Sequence, residues 1–452
     1  MSNAISIKRG LDIKLKGSAE KITGPETRSH VYAVKPTDFI GLTPKLSVRQ
    51  GDEVLAGSSL FYDKNHPEIF FPSPVSGEVV EIKRGAKRKI LEVKVLADKE
   101  IRYLDYGTAD PASMKREEVI DKLLKNGLWS LLRQRPFSII PDPTSIPKAI
   151  HISAFNSNPL APDMDYVIKG QEELFQKGID VIAKLSDNVN LNISGKTGYS
   201  KEFESVKGVK INRFVGPHPA GNIGVQVNKL DPINKGESIW YLYPAEVLMI
   251  ARLFESGKVD LRKKIALSGS EVKSPQYYDV ISGASISSVV QNNVTNDNVR
   301  FISGNPLTGT KVDKEGFLGY YDDQITVLPE GNQLDFLLTE GWLGLGLNKF
   351  SISKSYFSWL MPNKEYRLTT KLNGEERAFV VTGEMEKVFP FDIYPMQLVK
   401  SIMINDIDSM EKLGIYEVDA EDFALCEFVN TSKINIQDVV RNGMENLRAE
   451  LF

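Results

Sequence analysis

Closely spaced strand and turn signals between residues 31 and 95 constrain the fold of this chain most strongly. The stretches LSVRQGDEVLAGSSLFY, FFPSPVSGEVVEIKRG and ILEVKVL are typical of short β-strands, and Gly-Asp, Ala-Gly and Ser-Gly pairs mark corners along them. Strands about ten residues apart with such corners indicate a small all-β barrel or sandwich. We therefore expect a β module at the N-terminal end.

The turns of this module resemble those of biotinyl/lipoyl-like domains, with Gly-Asp-x-Val-x-x-Gly followed by Pro-x-x-Gly-x-Val. Glycine suits such corners because it tolerates positive φ. Carrier domains of this kind attach their cofactor to a lysine at a hairpin tip. Counting back from Pro74, His66 stands at that position and Lys64 is offset by two residues. We expect no covalent cofactor on Lys64.

The middle of the chain alternates between strand and helix patterns. The expected elements are a helix over 116–135, a strand over 148–155, a helix over 165–185, strands over 189–195 and 208–216, a helix over 237–257 and a strand over 261–272. The elements from 148 to 216 form a βαβ pattern, which favours a parallel α/β sheet.

The remainder predicts two further regions. Short strands punctuated by glycines resume over 277–329, and mostly helical patterns follow residue 371. The fold class is therefore a multidomain α/β protein, and we place its domains at 1–110, 111–270, 271–375 and 376–452.

Composition excludes several kinds of function. The net charge is −3 with interspersed signs, so we expect no nucleic-acid partner, and no apolar run is long enough to span a membrane. Cys426 is the one cysteine, so this chain alone can form no disulfide framework and hold no cluster on four thiolates. A reducing, cytoplasmic compartment fits that cysteine content. The four histidines lack metal-ligand spacing, so we expect no metal site.

Nucleotide-binding motifs are incomplete. SGKTGYS (194–200) follows a strand, but a phosphate loop also needs glycine where Asn190 stands. GWLGLG (341–346) has its glycines in the wrong order for a dinucleotide fingerprint. A flexible turn is the simpler interpretation of the second motif.

The best local candidate for a contact site is VGPHPAGNIGVQVNKLDP (215–232), which follows an expected α/β strand. Ligands of open α/β sheets bind beyond the carboxyl ends of strands. The candidate residues there are His218, Pro219, Gly221 and Asn222. The alternative is a rigid loop buried against another subunit.

Four stretches together carry a resemblance to a known family. They are IKRGLDIKLKG (7–17), SPVSG (73–77), GPHPAGNIGVQVNKLDPINKGESIWYLYPAEV (216–247) and the long run from RAFVVTGEMEKV to NTSKINIQ (377–437). Over essentially its whole length the chain resembles the NqrA family, which supplies one component of the bacterial sodium-translocating NADH:quinone reductase.

The resemblance implies a peripheral subunit on the cytoplasmic side of the bacterial inner membrane, within a six-subunit complex. It implies quinone as substrate, with FMN, FAD and iron-sulfur centres on partner subunits and no cofactor on this chain. It also implies a Rossmann-like domain, a soluble-ligand-binding β-grasp module and a helical C-terminal domain. In the stretch where distant relatives carry cluster-binding cysteines, Cys426 stands alone.

The expected function is therefore quinone binding and complex assembly without a redox centre of its own, with His218, Pro219, Gly221 and Asn222 as candidate contacts for quinone or a partner subunit. Ubiquinone and menaquinone both remain open. Two alternatives are a stand-alone soluble module that binds a small ligand and a flavin-binding NADH dehydrogenase subunit. The second is disfavoured by the missing glycine-rich loop and cluster cysteines.

Overall fold

The computed structural model describes residues 4–333, 336, 338 and 343–451. Its strands are, in chain order, β1 (Ile5–Ser6), β2 (Glu20–Thr23), β3 (Val31–Val34), β4 (Pro44–Leu46), β5 (Glu53–Val54), β6 (Ser59–Asp63), β7 (Phe70–Pro72), β8 (Gly77–Arg84), β9 (Ile90–Ala97), β10 (Arg133–Arg135), β11 (Ile150–Ala154), β12 (Val189–Ser194), β13 (Lys210–Val215), β14 (Ile239–Leu242), β15 (Arg262–Ser268), β16 (Gln276–Ile281), β17 (Val299–Ser303), β18 (Thr310–Val312) and β19 (Gln324–Pro329).

The α-helices of the same residues are α1 (Arg116–Lys125), α2 (Met164–Ile168), α3 (Glu172–Ile182), α4 (Ile223–Leu230), α5 (Pro244–Ser256), α6 (Ile286–Val290), α7 (Glu384–Val388), α8 (Pro395–Met403), α9 (Ile407–Lys412), α10 (Ala424–Val429) and α11 (Ile436–Leu451). None of these helices has the length and apolar character that crossing a bilayer requires.

The N-terminal module consists of two small antiparallel sheets, as its turn pattern predicts. Their strand orders are β3-β9-β8-β5 and β4-β6-β7. The core between them is aromatic, with the rings of Phe61 and Phe71 stacked at 4.7 Å between centroids. Gly77 of the SPVSG corner has φ +150°, and a Cβ there would lie 1.8 Å from the carbonyl oxygen of Leu96. The close approach of β8 and β9 therefore requires glycine at this position.

A six-stranded sheet with the order β1-β13-β12-β11-β14-β10 forms the second module. Neighbouring strands from β1 to β14 are parallel, and β10 runs antiparallel to β14. The parallel α/β sheet expected from the βαβ pattern is confirmed. Successive strands extend from β11 in both directions, so a crevice opens beyond the carboxyl ends of β11 and β14. The specific Rossmann-like assignment stays a prediction.

The two faces of this sheet differ in chemistry because side chains alternate along each strand. One face carries Ile152, Leu191 and Trp240, which belong to the main apolar core together with residues of α3 and α5. The opposite face is polar: the Nε2 atom of buried His151 lies 3.1 Å from Asp231 Oδ2. His151 is therefore a core histidine with a polar partner.

Three helix predictions for this module are wrong in part. The helix expected over 165–185 is two helices, α2 and α3, with residues 169–171 between them. The expected helix over 237–257 is instead strand β14 followed by α5, which begins at Pro244. All four residues of β14 are buried, so an apolar run that is central in a sheet cannot be distinguished from a helix by its period. The expected helix over 116–135 ends at Lys125, and a 3₁₀ turn and β10 follow.

The third module is a six-stranded sheet with the order β18-β17-β19-β15-β16-β2. Its strands confirm the β-rich character expected for 277–329, while the β-grasp assignment remains a prediction. Strands β1 and β2 near the N-terminus pair with β13 and β16, respectively. The first residues of the chain therefore connect the second and third modules, and the domain limits at 110, 270 and 375 stay predictions.

Helices α7 to α11 form the C-terminal region, in agreement with the helical pattern. The rings of Phe389 and Phe423 pack 4.9 Å apart inside it. Ile7, Phe214 and Val225 belong to the same apolar cluster. The C-terminal helices thus share a core with the parallel sheet and with the N-terminal segment.

Candidate functional site at the junction of the modules

The carboxyl edge of the parallel sheet lies where the modules meet. The backbone amide of Asp163, in the segment after β11, donates a hydrogen bond to the hydroxyl of Tyr277 in the third sheet at 2.7 Å. The amide of Tyr320 in the third module donates to Asp38 Oδ2 of the N-terminal module at 2.8 Å. This edge is therefore enclosed by residues from distant parts of the sequence.

The candidate contact residues His218, Pro219, Gly221 and Asn222 lie together in the loop between β13 and α4. All four are buried, and the peptide bond between His218 and Pro219 is cis. The structure thus places them beyond a strand end, as the sequence predicts, but inside the protein. Direct contact of this loop with quinone or a partner remains a prediction.

His218 is held by groups from two other segments. Its Nδ1 atom lies 3.1 Å from Ser157 Oγ, and its backbone amide donates to Asp12 Oδ1 at 2.8 Å. Burial lowers the pKa of His218 from 6.5 to about 3. The imidazole is therefore neutral near neutral pH and acts as a polar group in the interior of the junction.

A buried ion pair lies beside the start of α4. Arg135 Nη1 donates to Asp422 Oδ2 at 2.6 Å, and the two side chains are 1% and 0% exposed. Glu421 also pairs with this guanidinium. A Cβ on Gly224 would lie 2.4 Å from Asp422 Oδ1. Glycine therefore allows α4 to approach the ion pair closely.

Arg133, at the start of β10, occupies a different environment that we call the tyrosine box. Its guanidinium carbon lies 4.1 Å from the ring centroid of Tyr321, 4.7 Å from that of Tyr241 and 4.9 Å from that of Tyr243. The carboxylate oxygen Oε1 of Glu246 lies 3.9 Å from Arg133 Nη2. Within the described part of the chain, Nε and Nη2 are buried and have no hydrogen-bond partner.

Such an arrangement leaves guanidinium donors unused. Burial of an unsatisfied donor costs about 1–3 kcal/mol, so proteins usually pair these groups. Cation–π contacts with three rings offset part of that cost. The Arg133 side chain keeps 14% of its surface exposed. A small acceptor that reached this rim would gain both a charge-assisted hydrogen bond and aromatic contact.

Ionisable groups with shifted pKa values surround the tyrosine box. Burial raises the pKa of Glu246 above its ordinary value, and burial raises the pKa of Asp323 to about 6. Burial lowers the pKa of Lys263, whose ammonium donates to the carbonyl oxygen of Tyr320 at 2.8 Å. Acids with raised pKa values beside a fixed cation are a pattern typical of functional sites, because they can exchange protons near neutral pH.

Sequence reasoning missed this site. Arg133 falls within the segment that we expect to be helical, and its neighbours come from residues 241–246 and 320–323. The signals available were Tyr241 and Tyr243 in WYLY and the adjacent Tyr320 and Tyr321. Neither pair belongs to a motif that would connect it with an arginine far away in the sequence.

A cavity of about 610 Å³ lies elsewhere between the modules. Residues lining it include Arg28, Arg252, Arg262, Lys264 and Asp279. Arg252 is already engaged, since it donates to the carbonyl oxygen of Arg262 at 2.6 Å. Val167, Leu248 and Ile281 also line the cavity, so its wall mixes apolar and charged side chains, whereas a quinone ring prefers a mostly apolar pocket with a few polar groups.

The first of the two glycine motifs, SGKTGYS, does not form a phosphate site. After β12, the amide of Ser200 in SGKTGYS donates to the carboxylate of Asp165, so an acidic group already occupies this loop. An anion there would be repelled by that carboxylate. In GWLGLG, Gly341 and Trp342 lie outside the described residues, so the turn expected there stays a prediction.

The side chains that could hold a metal or a covalent cofactor are dispersed. Among the residues that the structure covers, no three His, Cys, Asp or Glu side chains form a group suited to a metal ion. Cys426 is buried, and burial raises the pKa of its thiol well above the ordinary value. Lys64 follows β6 at the turn toward β7, where its amide donates to the carbonyl oxygen of Thr43 at 2.9 Å. The absence of a cofactor on Lys64 stays a prediction.

Comparison with protein families matches three consecutive regions of the chain. Residues 5–98 match the NqrA N-terminal barrel-sandwich hybrid domain, and residues 114–259 match the NqrA second alpha/beta domain. Residues 264–314 match the NQRA C-terminal domain.

A solved NAD+-reducing [NiFe]-hydrogenase in the H2-reduced state is similar over 75% of this chain and 64% of that chain, with a TM-score of 0.40 and 12% identity. So low a similarity says nothing about function.

Curated relatives are similar over their full length. Proteins from Rhodopirellula baltica and Vibrio anguillarum, each named as the NqrA-type component of the Na(+)-translocating NADH-quinone reductase, are 35% identical to this chain. The matches cover 98% of both chains in the first case, and 99% of this chain and 100% of the relative in the second. The relative of that name from Pseudomonas aeruginosa is also 35% identical, with 99% and 100% coverage. The chain therefore belongs to the NqrA family of the Na(+)-translocating NADH-quinone reductase, an oxidoreductase complex.

Proposed function

We propose that this chain is the peripheral subunit that binds quinone and supports assembly in a sodium-translocating NADH:quinone reductase, without a redox centre of its own. Full-length similarity to relatives named for that reductase supports the assignment to the complex. The partners would be the membrane and peripheral subunits that carry FMN, FAD and iron-sulfur centres. The place of action would be the cytoplasmic side of the bacterial inner membrane.

The state of Cys426 supports the absence of a thiolate-bound centre. A cluster needs several thiolate ligands, and a buried thiol whose pKa is raised by burial is a poor ligand. The Sγ atom of Cys426 lies 4.0 Å from the carbonyl oxygen of Met385, inside the apolar C-terminal core. Electrons would therefore reach quinone from partner subunits, and this chain would position the quinone.

The tyrosine box is the observation that carries the quinone part of the proposal. A quinone head has two carbonyl oxygens that accept hydrogen bonds and a flat ring that packs on aromatic side chains. Arg133 Nε and Nη2 have no hydrogen-bond partner in the described residues, and the rings of Tyr241, Tyr243 and Tyr321 surround the guanidinium. Reduction places negative charge on the quinone oxygens, which a nearby guanidinium would stabilise.

Acidic side chains that could supply protons to the quinone also lie beside the tyrosine box. Burial raises the pKa of Glu246, and the carboxyl group lies 3.9 Å from Arg133 Nη2. A carboxyl group whose pKa is raised holds its proton to higher pH and can donate it to a reduced quinone oxygen. We assign Glu246 to this role, with Asp323, whose pKa burial raises to about 6, as the second candidate.

The contact proposed for His218, Pro219, Gly221 and Asn222 would require an opening of the junction, because all four residues are buried. Asn222 Oδ1 is buried and has no hydrogen-bond partner within the described residues. We propose this loop, second to the tyrosine box, as a contact with a partner subunit.

The test is quinone kinetics of the whole complex assembled with an Arg133→Gln chain. Loss of a hydrogen bond from a charged group costs about 1.5–3 kcal/mol, so we expect the KM for quinone to rise at least about tenfold. NADH oxidation with ferricyanide as electron acceptor should stay unchanged, since it bypasses quinone. Arg252→Gln is the matched control, because Arg252 lines the other cavity and should leave the KM for quinone unaltered.

An unchanged KM in an assembled Arg133→Gln complex would refute the quinone site at the tyrosine box. Failure of the purified wild-type chain to associate with the other subunits would refute the assembly role. Stoichiometric flavin bound to the purified chain would instead favour a flavin-binding dehydrogenase subunit.

A further inference from the structure

Residues 343–372, which we call the apolar strap, expose an unusual concentration of large apolar side chains. Eight of the twenty exposed large apolar side chains among the described residues lie in this segment. They are Leu343, Leu345, Leu347, Ile352, Phe357, Trp359, Leu360 and Leu372. Single exposed apolar residues are ordinary, but a contiguous set in one segment indicates an interaction surface.

The inner side of the strap is fastened to the protein. Tyr366 is buried, its amide donates to the carbonyl oxygen of Lys14 at 2.8 Å, and its carbonyl oxygen accepts from the amide of Lys16 at 2.9 Å. The ring of Phe350 meets that of Tyr366 edge-on at 5.5 Å between centroids. The strap therefore has an inner side that packs on the protein and an outer side that exposes apolar side chains.

Charge adds a second property to the strap. Five basic residues stand against one acidic residue, Glu365, which gives a net charge of +4 in a chain whose total is −3. The basic residues are Lys349, Lys354, Lys364, Arg367 and Lys371. Arg367 pairs with Glu271 at 2.6 Å, and the other four basic residues are lysines, of which Lys364 also donates to the carbonyl oxygen of Leu347 at 2.8 Å.

The composition distinguishes between two kinds of partner. Protein interfaces are enriched in arginine and depleted in lysine relative to the rest of the surface. Surfaces that lie in the headgroup region of a bilayer instead combine Trp, Phe and Leu with lysines, and the lysines are attracted by anionic lipids. The half-exposed Trp359, next to the exposed Leu360, is of the second type.

We propose that the apolar strap binds the surface of an anionic phospholipid bilayer. Trp359, Phe357 and Leu360 enter the headgroup boundary, and the lysines lie against the lipid phosphates. The binding is peripheral, because the strap inserts side chains and not a membrane-crossing segment. It depends on the strap alone and not on the tyrosine box, so either proposal can fail without the other.

The test is sedimentation of the purified full chain with vesicles. We expect binding to vesicles that contain phosphatidylglycerol and phosphatidylcholine, and at least about tenfold weaker binding to phosphatidylcholine alone. A triple variant, Phe357→Ser, Trp359→Ser and Leu360→Ser, should weaken binding at least about tenfold. Ile146→Ser is the matched control, since Ile146 is an exposed apolar residue far from the strap in sequence, and it should bind as the wild type does.

Tryptophan emission gives a second readout. Trp129 and Trp240 are fully buried, whereas Trp359 is 50% exposed. Its emission should shift to shorter wavelength with anionic vesicles, and Trp359→Phe should retain binding while reducing the shift. Phe357, Trp359 and Leu360 are 53%, 50% and 59% exposed, so we expect their replacement to leave the thermal unfolding midpoint unchanged, and that measurement checks it.

Three outcomes would overturn the proposal. The first is no binding of the wild-type chain to anionic vesicles, and the second is binding that the triple variant leaves intact. The third is a wild-type chain that binds no vesicles but associates with the detergent-solubilised membrane subunits, when the triple variant loses that association. That result would identify the strap as a protein-docking surface.

Discussion

The guanidinium of Arg135 and the carboxylate of Asp422 join the parallel sheet to the C-terminal helices, with Nη1 and Oδ2 2.6 Å apart although the residues are 287 positions apart in the sequence. Asp422 also accepts a hydrogen bond from the amide of Asp419 at 2.9 Å. Both charges are removed from water, so each depends on the other for its solvation. The pair therefore holds the C-terminal region in one orientation on the sheet.

Replacement of Asp422 by Asn should destabilise the protein strongly. Removal of one partner of a buried ion pair costs about 3–5 kcal/mol, and because Glu421 still pairs with Arg135 we expect the lower end of this range. Urea unfolding followed by circular dichroism measures the change. Glu255→Gln removes the exposed ion pair with Lys177, whose side chains are 48% and 54% exposed, and should cost less than about 1 kcal/mol. Equal losses in the free energy of unfolding for the two variants would show that burial does not strengthen the Arg135–Asp422 ion pair.

The sequence predicts those elements whose pattern is local. The strands β11, β12 and β13 and the helix α3 follow from apolar runs of the expected period, and the corners of the N-terminal module follow from its glycines. Strand β14 was not predicted, because four buried residues followed by a helix look like one helical stretch. Tertiary burial, and not local propensity, decides that segment.

The candidate site shows the same limit more clearly. The loop of His218 was predictable, since it follows a strand and carries several glycines and prolines. The tyrosine box was not predictable, because Arg133, Glu246 and Tyr321 meet only after the second and third modules pack together. No spacing in the sequence reports a contact between residues so far apart.

His218 should make the stability of the protein depend on pH below neutrality. Its pKa is about 3 in the folded chain and about 6.5 when unfolded, so the unfolded state binds the extra proton between these values. The free energy of unfolding should therefore fall as pH drops below 6.5, by up to about 1.4 kcal/mol per unit from this residue. We expect His218→Asn to reduce the slope between pH 6 and 4, measured by urea unfolding.

The control for this experiment is His66→Asn, because the side chain of His66 is 42% exposed. Its slope should match that of the wild type. An undiminished slope in His218→Asn would show that other groups cause the dependence.

The ion pair between Glu271 and Arg367 joins the third module to the apolar strap. We expect it to stabilise the folded protein against unfolding by acid. Burial alone would raise the pKa of Glu271, but hydrogen bonds from Arg367 and Thr295 hold it at about 2. The contribution of this lowered pKa to the free energy of unfolding is complete above about pH 4.5 and is lost as pH falls toward 2. Arg367→Gln should raise the midpoint of acid unfolding by about 0.5 pH unit.

Circular dichroism during an acid titration measures this midpoint. Arg377→Gln changes an exposed arginine of the neighbouring segment and should leave the midpoint unchanged. A midpoint for Arg367→Gln equal to that of the wild type would contradict the role of this ion pair.

Lys64 gives the last prediction, on whether the carrier-like hairpin carries a cofactor. Lys64 follows strand β6, and its amide bonds to Thr43 in a turn where Asp63 accepts from the amide of Asn65 at 3.0 Å. The lysine stands two residues from the position that carrier domains modify, so a ligase that recognises the tip should not act on it. Native protein should show the unmodified mass at Lys64, and Lys64→Arg should leave quinone reduction by the complex unchanged. Lipoyl or biotinyl mass on this residue would instead establish a swinging carrier, since the hairpin geometry would then serve attachment and not only packing.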